Sequence, residues 1–292
     1  MDAGTRIERA LSRALSRSEH SGCPEGLSSA TRYAVFPGGA RIRPRLCLAV
    51  ARAVGDDRPA VSAAAAAAIE LLHCASLVHD DLPCFDDAKL RRGKPSVHRA
   101  FGERLAVLTG DALIVAAFEV IATAGDIAPR RLRMLLLALT RASGMPCGIA
   151  AGQAWECEQR ICRSDYQRAK TGALFAAATV AGAASAGADG ELWRPLGEYI
   201  GEAYQVADDI RDVAADPEVI GKEVGRDQLL GRPNAVLELG MAGAMAHLES
   251  LMGSAGGSIP DCAGAADLRV HILNEAGRLL PAQLARPMRV VA

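Results

Sequence analysis

Apolar positions in this 292-residue chain recur at three- and four-residue intervals far more often than at alternate positions. That spacing marks helix faces rather than strands. Runs of β-branched residues bounded by turns are missing, and aromatic residues make up only 4%. The pattern predicts a charged helix over 1–18, a Gly/Pro/Ser break at 21–28, and a short element over 31–34 that stops at Pro37-Gly38-Gly39. A helix over 42–54 follows, closed by Gly55-Asp56-Asp57. Pro59 is placed to open the next helix, since the first helical position needs no backbone N–H. That helix runs to about residue 82, where Pro83 ends or kinks it. Further helices are predicted over 103–124, 129–143, 148–157, 164–186, 192–214, 234–251 and 267–280, with a turn at 259–261. No internal repeat or low-complexity linker divides the chain. The expectation is all-α: one domain, 1–292, of ten or more mostly antiparallel helices.

Half of the residues are hydrophobic, enough for a sizeable core, and the net charge of −1 gives no electrostatic support for a nucleic-acid or membrane-surface role. Residues 61–78 are apolar but carry Glu70 and His73, and 172–188 are uncharged but mostly Ala and Gly. Both read as close-packed interior helices, so no transmembrane segment is expected. The eight cysteines include no Cys-x-x-Cys pair and no signal peptide precedes them. Reduced thiols and a cytoplasmic location are the expectation, and a structural zinc site is not.

Two acidic stretches then dominate the picture: His79-Asp80-Asp81-Leu82-Pro83-Cys84-Phe85-Asp86-Asp87 and Gln205-Val206-Ala207-Asp208-Asp209-Ile210-Arg211-Asp212. Like charges so placed repel, which calls for a cation among them. Asp208 and Asp212 share a helix face at i, i+4, and Gln205 joins it at i−3. Basic groups follow each cluster: Lys89, Arg91, Arg92 and Lys94 after the first, Lys222, Arg226 and Arg232 after the second. Carboxylates beside Arg and Lys suit a Mg²⁺–diphosphate, because the hard cation takes carboxylate and phosphate oxygens while Arg forks the rest. There is no P-loop. Glu70-Leu71-Leu72-His73 has the Glu-x-x-His spacing of di-iron bundles, but only one copy is present where two are needed. His73 lies two turns before Asp80 on nearly the same face. On position alone a hydrogen-bonded core histidine is the simpler reading.

These residues resemble the trans-isoprenyl diphosphate synthase (polyprenyl synthetase) family. Gly38-Gly39-Ala40-Arg41-Ile42-Arg43-Pro44, the first aspartate-rich motif with Arg91-Arg92-Gly93, Gly110-Asp111, Gly152-Gln153, Lys170-Thr171-Gly172, the second Asp-Asp-x-x-Asp and Gly221-Lys222 fit it in order, over about 34–236. Gly38 to Arg41 and residues 232–236 are most similar to the geranylgeranyl diphosphate synthases of bacterial carotenoid pathways. The resemblance implies an isoprenoid-synthase bundle around a central cavity, a homodimer, and two or three Mg²⁺ ions. It implies substrates too: isopentenyl diphosphate and the allylic dimethylallyl, geranyl and farnesyl diphosphates.

By the same resemblance Asp80, Asp86 and Asp208 hold metal, while Asp81, Asp87, Asp209 and Asp212 support them directly or through water. Arg91, Lys170 and Lys222 bind the allylic diphosphate, with Arg232 keeping a charge beside them. Arg43, His73 and Arg92 hold the diphosphate of isopentenyl diphosphate. Thr171, Gln205 and the Lys170 carbonyl face an allylic cation. Ala40 stands where the family carries a lysine, with Arg41 and Arg45 as its candidate substitutes, and Glu156 stands for a usual aspartate. Ala75 and Ser76, small residues before the first motif, leave room for a C20 chain, with Phe118 a deeper floor. The alternatives are a non-catalytic partner subunit, a C15 synthase, and a terpene cyclase or head-to-head enzyme.

Overall fold

The computed structural model describes residues 2–19, 22–36, 38–160, 162–214 and 234–279. Lys222, Arg226, Arg232 and the tail from 284 lie outside them. The described helices are α1 (Ala3–Ser18), α2 (Glu25–Val35), α3 (Ile42–Val54), α4 (Pro59–Asp80), α5 (Val97–Phe101), α6 (Glu103–Ala122) and α7 (Pro129–Ser143). They continue as α8 (Ile149–Ala154), α9 (Arg163–Gln167), α10 (Ala173–Ser185), α11 (Arg194–Ala214), α12 (Ala235–Gly257) and α13 (Ala265–Leu279). The all-α expectation holds.

Two helices form the centre. α4 packs against α1, α3, α6 and α10, and α10 packs against α3, α4, α7 and α11. Every residue of α10 from Leu174 to Ser185 is buried, mostly Ala and Gly, which lets neighbouring backbones approach closely. On α11, a Cβ at Gly201 would come 2.9 Å from the Gly172 Cα. Burial of Ile69, Leu71, Leu72, Leu113, Leu174 and Phe175 supplies the main apolar driving force.

The structure differs from the sequence expectation where the backbone departs from a regular α-helix. α2 starts at Glu25, inside the expected break, because Pro24 acts as its N-cap rather than as a breaker. The helix expected over 164–186 is α9, a π-helical turn at Arg168–Gly172, and α10. The segment over 148–157 ends in a 3₁₀ turn, Trp155–Cys157. α12 runs to Gly257, past a non-helical Gly240. A two-stranded hairpin, β1 (Leu90–Arg91) with β2 (Lys94–Pro95), had no sequence signal. Its central residues Arg92 and Gly93 both have positive φ, as the twist of a two-residue hairpin demands.

α4 and α6 are long and apolar enough to cross a membrane by length and composition. Most of α4 is core. α6 is only 39% buried over its apolar window, and Val107, Leu108 and Val115 are exposed on it.

Candidate active site

One face of α4 is left open. His73, Ser76, Leu77 and Asp80 are half-buried on a helix otherwise almost wholly covered, and their spacing puts them in one row. Beyond Asp80 the chain turns at Pro83. The Asp86 N–H donates to the Asp80 carbonyl at 3.0 Å, which folds the later aspartate back onto the earlier one. The carboxylates of Asp80, Asp86 and Glu156 offer oxygens within 4.8 Å of one another. Lys170 Nζ bridges two of them, donating to Asp80 Oδ1 at 3.0 Å and to Glu156 Oε1 at 2.5 Å. Tyr166 Oη donates to Glu156 Oε1 at 2.6 Å, and Gln153 Nε2 to Oε2 at 3.2 Å.

The sequence marks Glu156 only as standing for a usual aspartate, with no role assigned to it. It comes from the 3₁₀ turn after α8, and close packing brings it there. A Cβ on Gly152 would fall 2.5 Å from the Lys170 Cα, so α8 passes the π-helical turn only because that position is glycine. Lys170 reaches two of the three carboxylates, and this set of hard oxygen donors fits a divalent cation such as Mg²⁺.

Asp81 does a different job from Asp80. It is 2% exposed, and Arg91 grips it through Nε at 3.0 Å and Nη2 at 2.5 Å. Burial raises the Asp81 pKa despite the arginine, whereas the Arg91 pKa rises because Asp81 outweighs its own desolvation. Asp81 thus fixes the orientation of Arg91, whose Nη2 also lies 3.8 Å from Asp80 Oδ2. Asp87 is exposed and pairs with Arg99 at 2.8 Å.

The second acidic stretch lies on α11. Tyr204, Gln205, Asp208, Arg211 and Asp212 are half-buried or exposed, while Asp209 is buried. Asp208 Oδ1 accepts from Arg211 at 2.8 Å. Thr171 Oγ1 donates to Gln205 Oε1 at 3.0 Å. Lys170 reaches the first acidic stretch, so adjacent residues of the π-helical turn connect both stretches. π-helical turns recur at functional sites because they re-aim side chains that a regular helix would place elsewhere.

A second cationic cluster is separate from the carboxylates. Arg43 is 9% exposed, stacks 4.4 Å over Phe175 and 5.7 Å over Tyr204, and places Nη1 3.4 Å from His73 Nε2. Its buried Nε has no hydrogen-bond partner among the described residues. Burial lowers the Arg43 pKa. Burial first, and then Arg43, Arg92, Arg91 and Arg41, push His73 well below its usual value. Arg92 lies against Gly39, where a Cβ would come 2.9 Å from its Cζ. A buried guanidinium with a spare N–H beside a neutral imidazole fits an anion, because an unmet buried donor is costly.

Arg41 does not substitute for the lysine absent at position 40. It is buried in a structural ion pair, with Nη1 2.5 Å from Glu70, Nε 2.8 Å from Glu8, and Nη2 donating to the Val35 carbonyl at 2.9 Å. Arg41 begins α3 in a left-handed conformation that turns its side chain inward. Arg45 is exposed beside Gly4 of α1. Glu70, the acid of the Glu-x-x-His spacing, is thereby occupied. Ala75 is fully buried, and Ser76 Oγ donates to the His73 carbonyl at 2.8 Å, which removes its polarity from the open face. His79 packs against Gly110. Antiparallel helices in that register put partly buried Phe118 level with Leu71, about one turn deeper than Ala75.

An α-helical bundle whose open helix faces carry aspartates from two acidic stretches, Asp80 and Asp208, with cations grouped near them, is the architecture of enzymes that handle diphosphates with a divalent metal. The chain belongs to the polyprenyl synthetase family, which it matches over residues 24–262. It is 56% identical to the geranylgeranyl diphosphate synthase of Cereibacter sphaeroides over 96% of this chain and 97% of that protein. It is 52% identical to that of Rhodobacter capsulatus over 92% and 93%. A solved geranyltransferase from Helicobacter pylori, complexed with magnesium and isoprenyl diphosphate, superposes with a TM-score of 0.80 at 28% identity. That match covers 94% of this chain and 96% of the other.

Proposed function

We propose that this chain is a trans-prenyltransferase that condenses isopentenyl diphosphate head-to-tail with allylic diphosphates and releases the C20 product, geranylgeranyl diphosphate. The observation that carries the reading is the pairing of two unlike sites. One is the Asp80, Asp86 and Glu156 carboxylate group around Lys170; the other is the cluster of Arg43, His73 and Arg92, which offers cations and no carboxylate. A metal-bridged diphosphate suits the first and a second diphosphate the other. Both aspartate-rich motifs are complete, which speaks against a non-catalytic subunit.

Asp80 and Asp86, with Glu156, and Asp208, with Asp212, are the residues that would hold Mg²⁺, two or three ions in all. Mg²⁺, when bound, makes the allylic diphosphate a better leaving group by Lewis-acid polarisation. Arg91 and Lys170, with Lys222 and Arg232 from outside the described residues, neutralise that leaving group. Arg43, His73 and Arg92 orient isopentenyl diphosphate so that its alkene faces the allylic carbon. Thr171, Gln205 and the Lys170 carbonyl present oxygen lone pairs to the developing carbocation, a preorganised dipole arrangement in a water-poor site. The new C–C bond forms as the allylic C–O bond breaks, and a proton then passes from the isopentenyl unit to the departing diphosphate. Asp81 orients Arg91 instead of binding metal.

The tail grows along α4, past Ala75 and Ser76 towards Phe118, and the small residues leave the fourth isoprene unit room. Dimethylallyl, geranyl and farnesyl diphosphates are the successive acceptors. The exposed apolar face of α6 covers itself against a second copy, giving a homodimer in the cytoplasm. Incubating the purified chain with Mg²⁺, farnesyl diphosphate and labelled isopentenyl diphosphate tests the reaction. Label enters a longer prenyl diphosphate and EDTA abolishes it; no label in any longer product refutes catalysis.

A further inference from the structure

Asp208 and Asp209 are neighbours on one helix but point into different surroundings. The Asp208 side chain is 53% exposed and touches Arg211. Asp209 is 1% exposed, and both of its oxygens accept bonds from protein groups. Oδ2 takes the Ala235 N–H at 2.7 Å and Oδ1 takes Gln205 Nε2 at 3.0 Å. Ala235 is the first residue of α12. The Asn234 side chain takes the next two backbone N–H groups, Val236 at 2.9 Å and Leu237 at 3.3 Å. Together two side chains satisfy the first three donors of a 23-residue helix, and the positive end of that helix favours a buried carboxylate there.

An ionised carboxylate only accepts hydrogen bonds. Asp209 therefore compels Gln205 to turn its NH₂ towards it and its Oε1 towards Thr171. The Thr171 hydroxyl must then donate to Gln205, at 3.0 Å, so that its lone pairs are left for the site. We propose that Asp209 is a positioning residue that acts through Gln205 to fix the direction of this hydrogen-bond chain, and does not ligate metal. The inference rests on the prenyl-transfer reading, in which those lone pairs face a carbocation. A hydroxyl turned the other way would aim its proton at the same charge.

Asp209→Asn tests this beside Asp208→Asn. The oxygen of the introduced amide stays with the Ala235 N–H, so its NH₂ faces Gln205 and reverses the chain. The expected result is a fall in kcat of about 100-fold or more, the scale of losing one preorganised dipole. The Mg²⁺ requirement and both Michaelis constants stay within about twofold of wild type. Asp208→Asn raises the Mg²⁺ requirement. An Asp209→Asn enzyme whose Mg²⁺ requirement rises as much as that of Asp208→Asn, or whose kcat is unchanged, overturns the proposal. Gln205→Met, which leaves the α12 cap in place, is the second variant. It must lower kcat without shifting the Mg²⁺ requirement, and unchanged kcat there also overturns the proposal. A wild-type chain with no condensing activity refutes the underlying reading instead.

Discussion

Replacing Arg41 with methionine separates a structural cation from a substrate-binding one. Arg41 Nη1 lies 2.5 Å from the carboxylate of Glu70, which is 1% exposed. Without the guanidinium, Glu70 keeps only the weak Cys74 Sγ donor at 3.9 Å among the described residues. Glu8 is half-exposed and can be rehydrated, so the cost falls on Glu70. Breaking a buried pair by removing one partner costs about 3–5 kcal/mol. At about 2 °C per kcal/mol for a domain of this size, Tm should fall by about 6–10 °C. Arg41→Met/Glu70→Met should recover most of that loss, since an apolar replacement of both partners is near neutral. Thermal unfolding followed by circular dichroism measures both variants, and initial rates give the Michaelis constants. The constant for isopentenyl diphosphate should stay within about twofold in the folded fraction. A variant with wild-type Tm and a constant raised about tenfold, equivalent to about 1.4 kcal/mol of binding, would place Arg41 in the diphosphate site and refute the reasoning.

Two other changes probe separate parts of the account. His73 is neutral in the folded protein because its pKa lies well below 6.5, so the unfolded chain takes up a proton that the folded chain refuses. Stability is therefore unaffected above pH 6.5 and is lost as pH falls below it. Relative to His73→Gln, the wild type should lose up to about 1.4 kcal/mol per pH unit there, and parallel stability curves would contradict the assignment. Val115 is 66% exposed on the apolar face of α6. Val115→Glu should halve the mass seen by light scattering, and a wild type that is already monomeric would remove the dimer.

The face of α4 was legible because helical periodicity is a local property: His73, Ser76 and Asp80 fall in one row in the sequence and in space. The same holds for Gln205, Asp208 and Asp212 on α11. Glu156 was not legible as part of the metal-binding group, because three separate elements build that group and only the glycine contact between α8 and Lys170 brings them together. Nor was the π-helical turn, since one added residue per turn barely disturbs an Ala-rich pattern. Arg41 read as a spare cation because sequence spacing does not reveal a left-handed residue turning its side chain towards Glu70. The resemblance sets Asp80 and Asp208 apart from Asp81 and Asp209 but does not give the physical reason. In space Asp81 is buried against Arg91 and Asp209 against Gln205 and the α12 N-terminus, whereas Asp87 is exposed.

The central claim is a C20 prenyl transfer set by a cavity that small residues keep open. Extracting the product made from isopentenyl and farnesyl or geranyl diphosphate, and sizing its chain, tests it most directly. The wild type should end at C20, and Ala75→Phe at C15, because an aromatic ring at that buried position occupies the path of the tail. A wild type that stops at C15, or an Ala75→Phe enzyme that still makes C20, contradicts the account.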